Sequence, residues 1–151
     1  MKKAEKRELE QMAMMKVSLE CLKLARALEE LQNGFINGIS GKEVYDILIG
    51  SLETIKEITK KSNGIMEVEH KITGEITQIE LNLVNPITIL LLTIKIKTFL
   101  DNFPQVYIEA DDEDEIAEFI ESFLEMAFDS LLEIQKQLEK KLNEALEEDD
   151  K

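Results

Sequence analysis

Residues 111–148 read DDEDEIAEFIESFLEMAFDSLLEIQKQLEKKLNEALEE, and this stretch decides the fold. It opens with five consecutive acidic residues and then carries apolar residues three or four positions apart, from Ile116 to Leu146. That spacing keeps the apolar side chains on one face of a helix. The stretch therefore predicts a single amphipathic helix of about forty residues, around which the other elements are arranged.

The acidic run at the start of this helix consists of Asp111, Asp112, Glu113, Asp114 and Glu115. Asp112 and Glu115 have the spacing of a helix cap and its third residue, and acids in a first turn suit the positive end of the helix dipole. A calcium-binding loop would need ligands at alternate positions and a central glycine, and the run has neither. We interpret the run as a cap and as a candidate surface for a basic partner.

A first helix is predicted from about Lys2 to Gln32. Its apolar residues form two adjoining seams, one of Val17, Cys21, Leu24, Leu28 and Leu31 and the other of Met12, Met15, Leu19 and Leu22. Two seams predict more than one packing neighbour. Asn33-Gly34 is a typical helix end, and a second turn signal follows at Asn37-Gly38.

A second helix is predicted to begin at Ser40, which forms a capping box with Glu43. An apolar stripe from Val44 to Ile58 follows, and Asn63-Gly64 is expected to end the helix.

A third helix is predicted from Asn85 as cap and Pro86 as first residue. It is apolar nearly all round, with one face of Ile87, Leu90, Leu91, Ile94 and Thr98 and another of Ile89, Leu92, Ile96, Phe99 and Leu100. We therefore expect it to be the central and most buried helix, although its Ile and Thr residues leave a strand as the alternative over 86–102. The helix is expected to end at residues 101–104, with 106–108 as a short strand or a loop.

Residues 65–84 alternate between apolar and polar on both sides of Gly74, which predicts a β-hairpin. Only a turn with an even number of residues keeps the apolar side chains on one side. A two-residue turn would pair Val68 with Ile79, and a four-residue turn would pair Val68 with Leu81. His70 has the parity of the apolar side, so we expect it to be half-buried against a helix.

Two long and two short helices predict a mainly α fold: an antiparallel four-helix bundle with the hairpin inserted between helices 2 and 3, in one domain of residues 1–151. The short helices do not reach the end where helix 1 begins, so the hairpin is expected to cover Met12, Met14 and Met15. The basic start of the chain would lie there beside the acidic tail at about 147–151. The charged residues concerned are Lys2, Lys3, Lys6, Arg7, Glu144, Glu147, Glu148, Asp149 and Asp150.

The charge of the chain is strongly negative and unevenly spread. Residues 109–151 contain 17 acids and 4 bases, and their net charge of −13 accounts for nearly all of the total of −14. Such a helix repels nucleic acid and membrane headgroups, and it keeps a small protein in solution. The single Cys21 fits a reducing compartment, and no secretory signal or bilayer-length apolar run is visible. We expect a soluble, cytoplasmic protein, and the Lys, Glu and Ile content is typical of heat-adapted chains.

No spacing typical of a catalytic or metal site is found. Glu67 and His70 match half of a di-metal bundle motif, but the chain has no second histidine. No complementary group can be placed near Cys21 or Ser130. Gly41-Lys42 lacks both the earlier glycine and the following Ser or Thr of a phosphate loop. We predict that the protein is not an enzyme and holds no cofactor or metal.

The wide apolar faces and the unequal helix lengths predict a non-enzymatic helical subunit or adaptor for protein–protein interaction, self-association included. Leu138, Leu142 and Leu146 extend past the short helices, and with the acidic run they are the candidate partner-binding residues. The three methionines near residue 12 are interpreted as core, with an adaptable recognition surface as the alternative.

Two other functions are considered. The architecture resembles that of some small subunits in CRISPR effector complexes, a resemblance of plan that no residue motif carries. As a small subunit of a nucleoprotein complex, the chain would present a basic stripe of Lys16, Lys23, Arg26, Lys56, Lys60 and Lys61. A third hypothesis is an acidic inhibitor that imitates nucleic acid through residues 111–125.

Overall fold

The computed structural model describes residues 3–149, and the side chains of residues 5–147, as four helices and one β-hairpin. The elements are α1 (Lys3–Asn37), α2 (Gly41–Ser62), β1 (Asn63–Glu69), β2 (Ile76–Asn82), α3 (Pro86–Glu109) and α4 (Glu113–Asp149). The predicted helical bundle with a hairpin between helices 2 and 3 is confirmed. Residues 86–102 are helical, so the strand alternative is wrong.

The helices form a ring in which each has two main neighbours. The contacts join α1 to α2, α2 to α3, α3 to α4, and α4 back to α1. Helices α1 and α3 therefore lie diagonally across the bundle. One continuous core fills the centre, and its largest fully buried side chains come from all four helices: Leu24, Leu28, Leu31, Leu48, Ile58, Ile89, Leu92, Ile96, Ile120 and Ile134.

Helix α1 continues beyond its predicted end at Asn33-Gly34 and stops at Asn37. The amide of Ile39 donates to the carbonyl oxygen of Gly34 at 2.7 Å, and the amide of Gly38 donates to that of Phe35 at 3.3 Å. Gly38 has a φ of +89°, the left-handed conformation of a Schellman cap. The second turn signal thus ends the helix, because the chain can close both hydrogen bonds there.

Alanine substitutions at two exposed glycines should change stability in opposite directions. We expect Gly38→Ala to lower the free energy of unfolding by about 1 kcal/mol, because alanine is strained at positive φ. Gly50→Ala, inside α2 with nothing within 4 Å of the added Cβ, should raise it by about 0.5–1 kcal/mol. Urea denaturation measures both values, and a stabilising Gly38→Ala would contradict the cap.

Helix α3 runs through Pro104 to Glu109, so its predicted end at residues 101–104 and the predicted strand or loop at 106–108 are wrong. A proline inside a helix has no N–H to donate to the carbonyl four residues earlier, here that of Leu100. In this fold the Tyr45 hydroxyl of α2 donates to the Leu100 carbonyl oxygen at 3.0 Å. A neighbouring helix therefore supplies the donor that the proline removes, and α3 continues.

The hairpin keeps the predicted apolar side but differs in register. Val68 pairs with Thr77 and not with the predicted Ile79 or Leu81, and Met66 pairs with Ile79. The loop has an even number of residues, as expected, and Ile79 and Leu81 are buried. Compared with the predicted two-residue turn, the partner of Val68 moves by two residues. The reason is that the turn consists of residues 71–74 and is closed by the amide of His70, which donates to the carbonyl oxygen of Glu75.

His70 is exposed, so the prediction that it is half-buried is wrong. Its Nδ1 accepts from the backbone amides of Ile72 and Thr73, each at 3.3 Å. The side chain therefore turns back over the loop and satisfies backbone donors, which leaves it off the apolar side of the hairpin.

The start of α1, the end of α4 and the hairpin meet at one end of the bundle. Arg7, Glu144 and Asn82 line the same surface depression, as the predicted antiparallel arrangement requires. Lys2 and Asp150 lie outside the described residues, as do the side chains of Lys3, Glu148 and Asp149.

The predicted N-terminal caps of α2, α3 and α4 are formed. The Ser40 hydroxyl accepts from the Glu43 amide at 3.2 Å, and the Asn85 side chain accepts from the Ile87 amide at 2.9 Å. At α4 the Asp112 carboxylate accepts from the amide of Glu115 at 3.0 Å. The interpretation of the acidic run as a helix cap is therefore confirmed.

Candidate interaction surface

The most unusual surface feature is a stripe of apolar side chains along the outward face of α1. Met12, Met15, Leu19 and Leu22 are between 45% and 67% exposed. The sequence predicts that they form a second packing seam, and that interpretation is wrong. The neighbours α2 and α4 both pack beside the Val17 seam, so the adjoining seam faces solvent. Met14 alone of the three methionines is buried.

A groove between α1 and α4 continues this stripe, and we call it the α1–α4 groove. Its volume is about 780 Å³, and its sides are lined from α1 by Met15, Leu19 and Leu22. The α4 side holds the residues that the sequence singles out for partner binding: Leu138, Leu142 and Leu146. Leu138 is buried in the floor, whereas Leu142 and Leu146 are 39% and 49% exposed.

A second apolar stripe, the α3 stripe, consists of Ile87, Leu90, Leu91 and Ile94. These side chains are between 48% and 63% exposed. The prediction that α3 is the central and most buried helix is therefore wrong. Only its other face enters the core, because a helix in a four-membered ring buries one side. Since α1 and α3 are diagonal, the α3 stripe and the α1 stripe lie on opposite helices of the ring, and no residue of α3 lines the α1–α4 groove.

The acidic run lies far from the α1–α4 groove. All five of its residues are exposed at the start of α4, whereas Leu138, Leu142 and Leu146 lie in the second half of that helix. The two parts of the predicted partner site are thus separated by about 35 Å from Glu115 to Leu138, at 1.5 Å per helical residue. Although the acidic run and the three leucines belong to the same helix, they do not form one site.

Basic residues border the α1–α4 groove on its α1 side, in what we call the basic depression. This depression is lined by Lys16, Lys23, Arg26 and Lys61 together with Glu20, and it shares Leu19 and Leu22 with the groove. Four of the six residues of the predicted basic stripe are therefore brought together. Lys56 is instead paired with Glu53 at 3.2 Å, farther along the exposed side of α2.

Glu20 is the buried charge of the basic depression, only 6% exposed on α1. Its carboxylate accepts from Lys61 of α2 at 3.0 Å and from Lys23 at 3.2 Å. Burial acts to raise the pKa of Glu20, but the hydrogen bonds and charges of Lys61 and Lys23 outweigh burial and lower that pKa. The hydrogen bond with Glu20 raises the pKa of Lys61. The cluster therefore links α1 to α2 in its charged form.

Removing the Glu20 charge should make stability less dependent on pH. The folded pKa of Glu20 lies below its unfolded value of 4.5, so its contribution is complete above that pH and is lost as the pH falls through the folded pKa. We expect Glu20→Gln to lower the free energy of unfolding by about 1–2 kcal/mol at neutral pH, with the difference from wild type shrinking below pH 4. Urea denaturation across this range measures it.

The control for this prediction is Glu53→Gln, which breaks the exposed pair with Lys56. Exposed pairs contribute little to stability, so this variant should follow the wild-type curve at every pH. A Glu20→Gln curve that stays parallel to wild type down to pH 3 would contradict the charged cluster.

Cys21 and Ser130, the nucleophilic side chains considered from the sequence, are both buried. Burial, with a smaller effect of the Glu20 charge, raises the pKa of the Cys21 thiol to about 11, which disfavours the reactive thiolate. The Ser130 hydroxyl accepts from Lys95 at 2.7 Å and is buried between α3 and α4. Among residues 3–149, no three His, Cys, Asp or Glu side chains are grouped to hold a metal ion. No helix in that range is long and apolar enough to cross a membrane.

Comparison with known proteins gives no relative from which a function can be transferred. No protein-family model, curated protein or solved structure matches the chain.

Proposed function

We propose that this protein is a non-enzymatic interaction subunit that binds a protein partner in its α1–α4 groove. The observation that carries the proposal is the exposed apolar surface of α1 and the end of α4. Six residues, each about half exposed, form it: Met12, Met15, Leu19, Leu22, Leu142 and Leu146.

The size of this surface supports binding. Six half-exposed side chains leave roughly 500 Å² of apolar area, near the upper end of the roughly 300–600 Å² of the largest patch on a typical monomer. With its polar border the surface approaches the roughly 800 Å² that each partner contributes to a standard interface. Covering it would bury aliphatic side chains at about 25 cal/mol per Å² before the costs of association.

The α3 stripe supports a role as an adaptor. It lies on α3 and shares no residue with the α1–α4 groove, so the two surfaces are available to separate partners. Residues 86–94 contain no charged side chain, which is the character of the centre of an interface.

The proposal is tested by gel filtration of cell extract from the source organism. We expect the wild-type protein to elute well above its own mass of 17.3 kDa, and the double variant Leu19→Asp/Leu142→Asp to elute as a monomer. Both positions are exposed, so the fold should be kept, and circular dichroism of the purified variant checks this. The matched control is Ile72→Asp in the hairpin loop, which is 90% exposed and should leave the complex intact.

Two results would overturn the proposal. One is elution of the wild-type protein as a monomer, both in extract and when purified at high concentration. The other is a complex that survives Leu19→Asp/Leu142→Asp unchanged.

A further inference from the structure

The dimensions of the α1–α4 groove suit a helix. Its lining comes from residues 11–22 of α1 and 135–146 of α4, which run antiparallel side by side. Twelve helical residues span about 18 Å, the length of roughly three helical turns. A partner helix of three to four turns would therefore match the groove from end to end.

The groove offers a partner side chains rather than a backbone edge. Both walls are helices whose amides and carbonyls are bonded within the helices, so an extended strand would find no ladder to join. The α1 wall includes Met14 and Met15, and methionine adapts to differently shaped apolar partners. An apolar helix face laid between two helices is the arrangement that such walls accept.

The charge around the groove differs from that of the rest of the molecule. On the α1 side lies the basic depression, in which Lys16, Lys23, Arg26 and Lys61 surround the single acid Glu20. Glu20 is buried and bonded to Lys23 and Lys61. On the α4 side Glu139 lines the groove, whereas Lys140 and Lys141 line depressions beside the hairpin and Asn85. The positive border is therefore confined to the α1 side, while the chain as a whole carries −14.

The acidic run does not cancel the positive border on the α1 side. The acidic run lies about 30 Å from the groove at 1.5 Å per residue, several times the screening length of about 8 Å at physiological ionic strength. A ligand in the groove therefore has Lys16, Lys23 and Arg26 along its α1 edge, next to Leu19 and Leu22, and Glu139 along its α4 edge.

We infer that the α1–α4 groove binds an amphipathic helix whose apolar face is bordered by acidic residues. This inference rests on the proposed function and adds the chemistry of the partner. Leucine-like side chains would fill the apolar floor, and Asp or Glu along one edge would lie over the basic depression. A second copy of the chain fits less well, because it would bring the same positive border and a further net charge of −14.

Three synthetic peptides test the inference directly. They share one amphipathic 18-residue design with leucines three and four positions apart, and carry Glu, Gln or Lys beside the leucines. Fluorescence anisotropy with the purified protein should show the Glu peptide binding at least tenfold more tightly than the Lys peptide, with the Gln peptide between them. Binding of the Glu peptide should weaken as salt is added.

Matched variants connect the preference to the groove. Lys16→Glu/Arg26→Glu should weaken binding of the Glu peptide at least tenfold and strengthen binding of the Lys peptide. Lys56→Glu/Lys60→Glu makes the same change of net charge on α2 and should leave the order of affinities unchanged. Leu19→Asp should abolish binding of all three peptides, and circular dichroism confirms that each variant is folded.

The possible contradictions separate this inference from the proposed function. Equal binding of the three peptides, or tighter binding of the Lys peptide, overturns the acidic partner but leaves the groove as a docking site. Binding of a labelled single-stranded oligonucleotide that Lys16→Glu/Arg26→Glu abolishes, without binding of the Glu peptide, replaces the inference with nucleic acid. A dimer in light scattering that Leu19→Asp dissociates replaces it with self-association.

Discussion

Phe99→Ala is expected to lower the free energy of unfolding by about 3–5 kcal/mol, the usual cost of removing a buried phenylalanine. Phe99 lies on α3 and is only 3% exposed. Its ring is 4.3 Å from that of Phe123 and 5.1 Å from that of Phe119, both on α4, and 5.2 Å from that of Phe103, measured between centroids. Phe99 is thus the member of the cluster that all the other rings contact.

The measurement is urea denaturation of wild type and variant. Tyr107→Ala is the control, because Tyr107 is exposed and its ring, 6.0 Å from that of Phe103, touches only the margin of the cluster. We expect the control to change the free energy of unfolding by less than about 1 kcal/mol. If Phe99→Ala costs no more than Tyr107→Ala, the packing of α3 on α4 is not as described.

Pro104→Ala is expected to raise the free energy of unfolding by about 2 kcal/mol, since proline in a helix interior is about 3 kcal/mol less favourable than alanine and part of that cost is already offset. The offset comes from the Tyr45 hydroxyl, which donates to the carbonyl of Leu100. Alanine at position 104 would supply the missing backbone amide to the same carbonyl.

This account predicts that the two residues are coupled. Tyr45→Phe should lower the free energy of unfolding by about 1 kcal/mol in the wild type, because it leaves a part-buried carbonyl without that donor. The same substitution should cost clearly less in the Pro104→Ala background. Urea denaturation of the four proteins completes the double-mutant cycle, and strictly additive effects would show that Tyr45 does not compensate for the proline.

The features that the sequence predicts well are local ones. Ser40, Asn85 and Asp112 each accept a hydrogen bond from an amide two or three residues away. A cap of this kind depends on neighbours in the chain, so the residue types in their spacing are enough to locate it. The order of the elements follows from the same signals together with the change of period at residues 65–84.

The error in α3 arises because a distant residue decides the outcome. Pro104 would normally end a helix, and only Tyr45, 59 positions earlier in the sequence, provides the donor that lets α3 continue. In the hairpin, parity is a property of the sequence, but the register depends on the turn that His70 stabilises. No local pattern distinguishes the turn that forms from the two that were predicted.

The candidate surface was predicted in part. Leu138, Leu142 and Leu146 were singled out, and the structure places them in the α1–α4 groove. The sequence predicts that Met15, Leu19 and Leu22 on the opposite wall form a second packing seam; they do share one helix face, but that face is exposed.

By itself, the sequence determined which residues share a helix face, where three helices begin, and that the excess negative charge lies on α4. Only the tertiary structure decided which of two apolar faces on α1 and α3 enters the core. The physical reason is that periodicity describes one helix at a time, whereas burial depends on where the neighbouring helices lie. In a ring of four helices each member buries one side, so a helix that is apolar on two sides must leave one of them exposed.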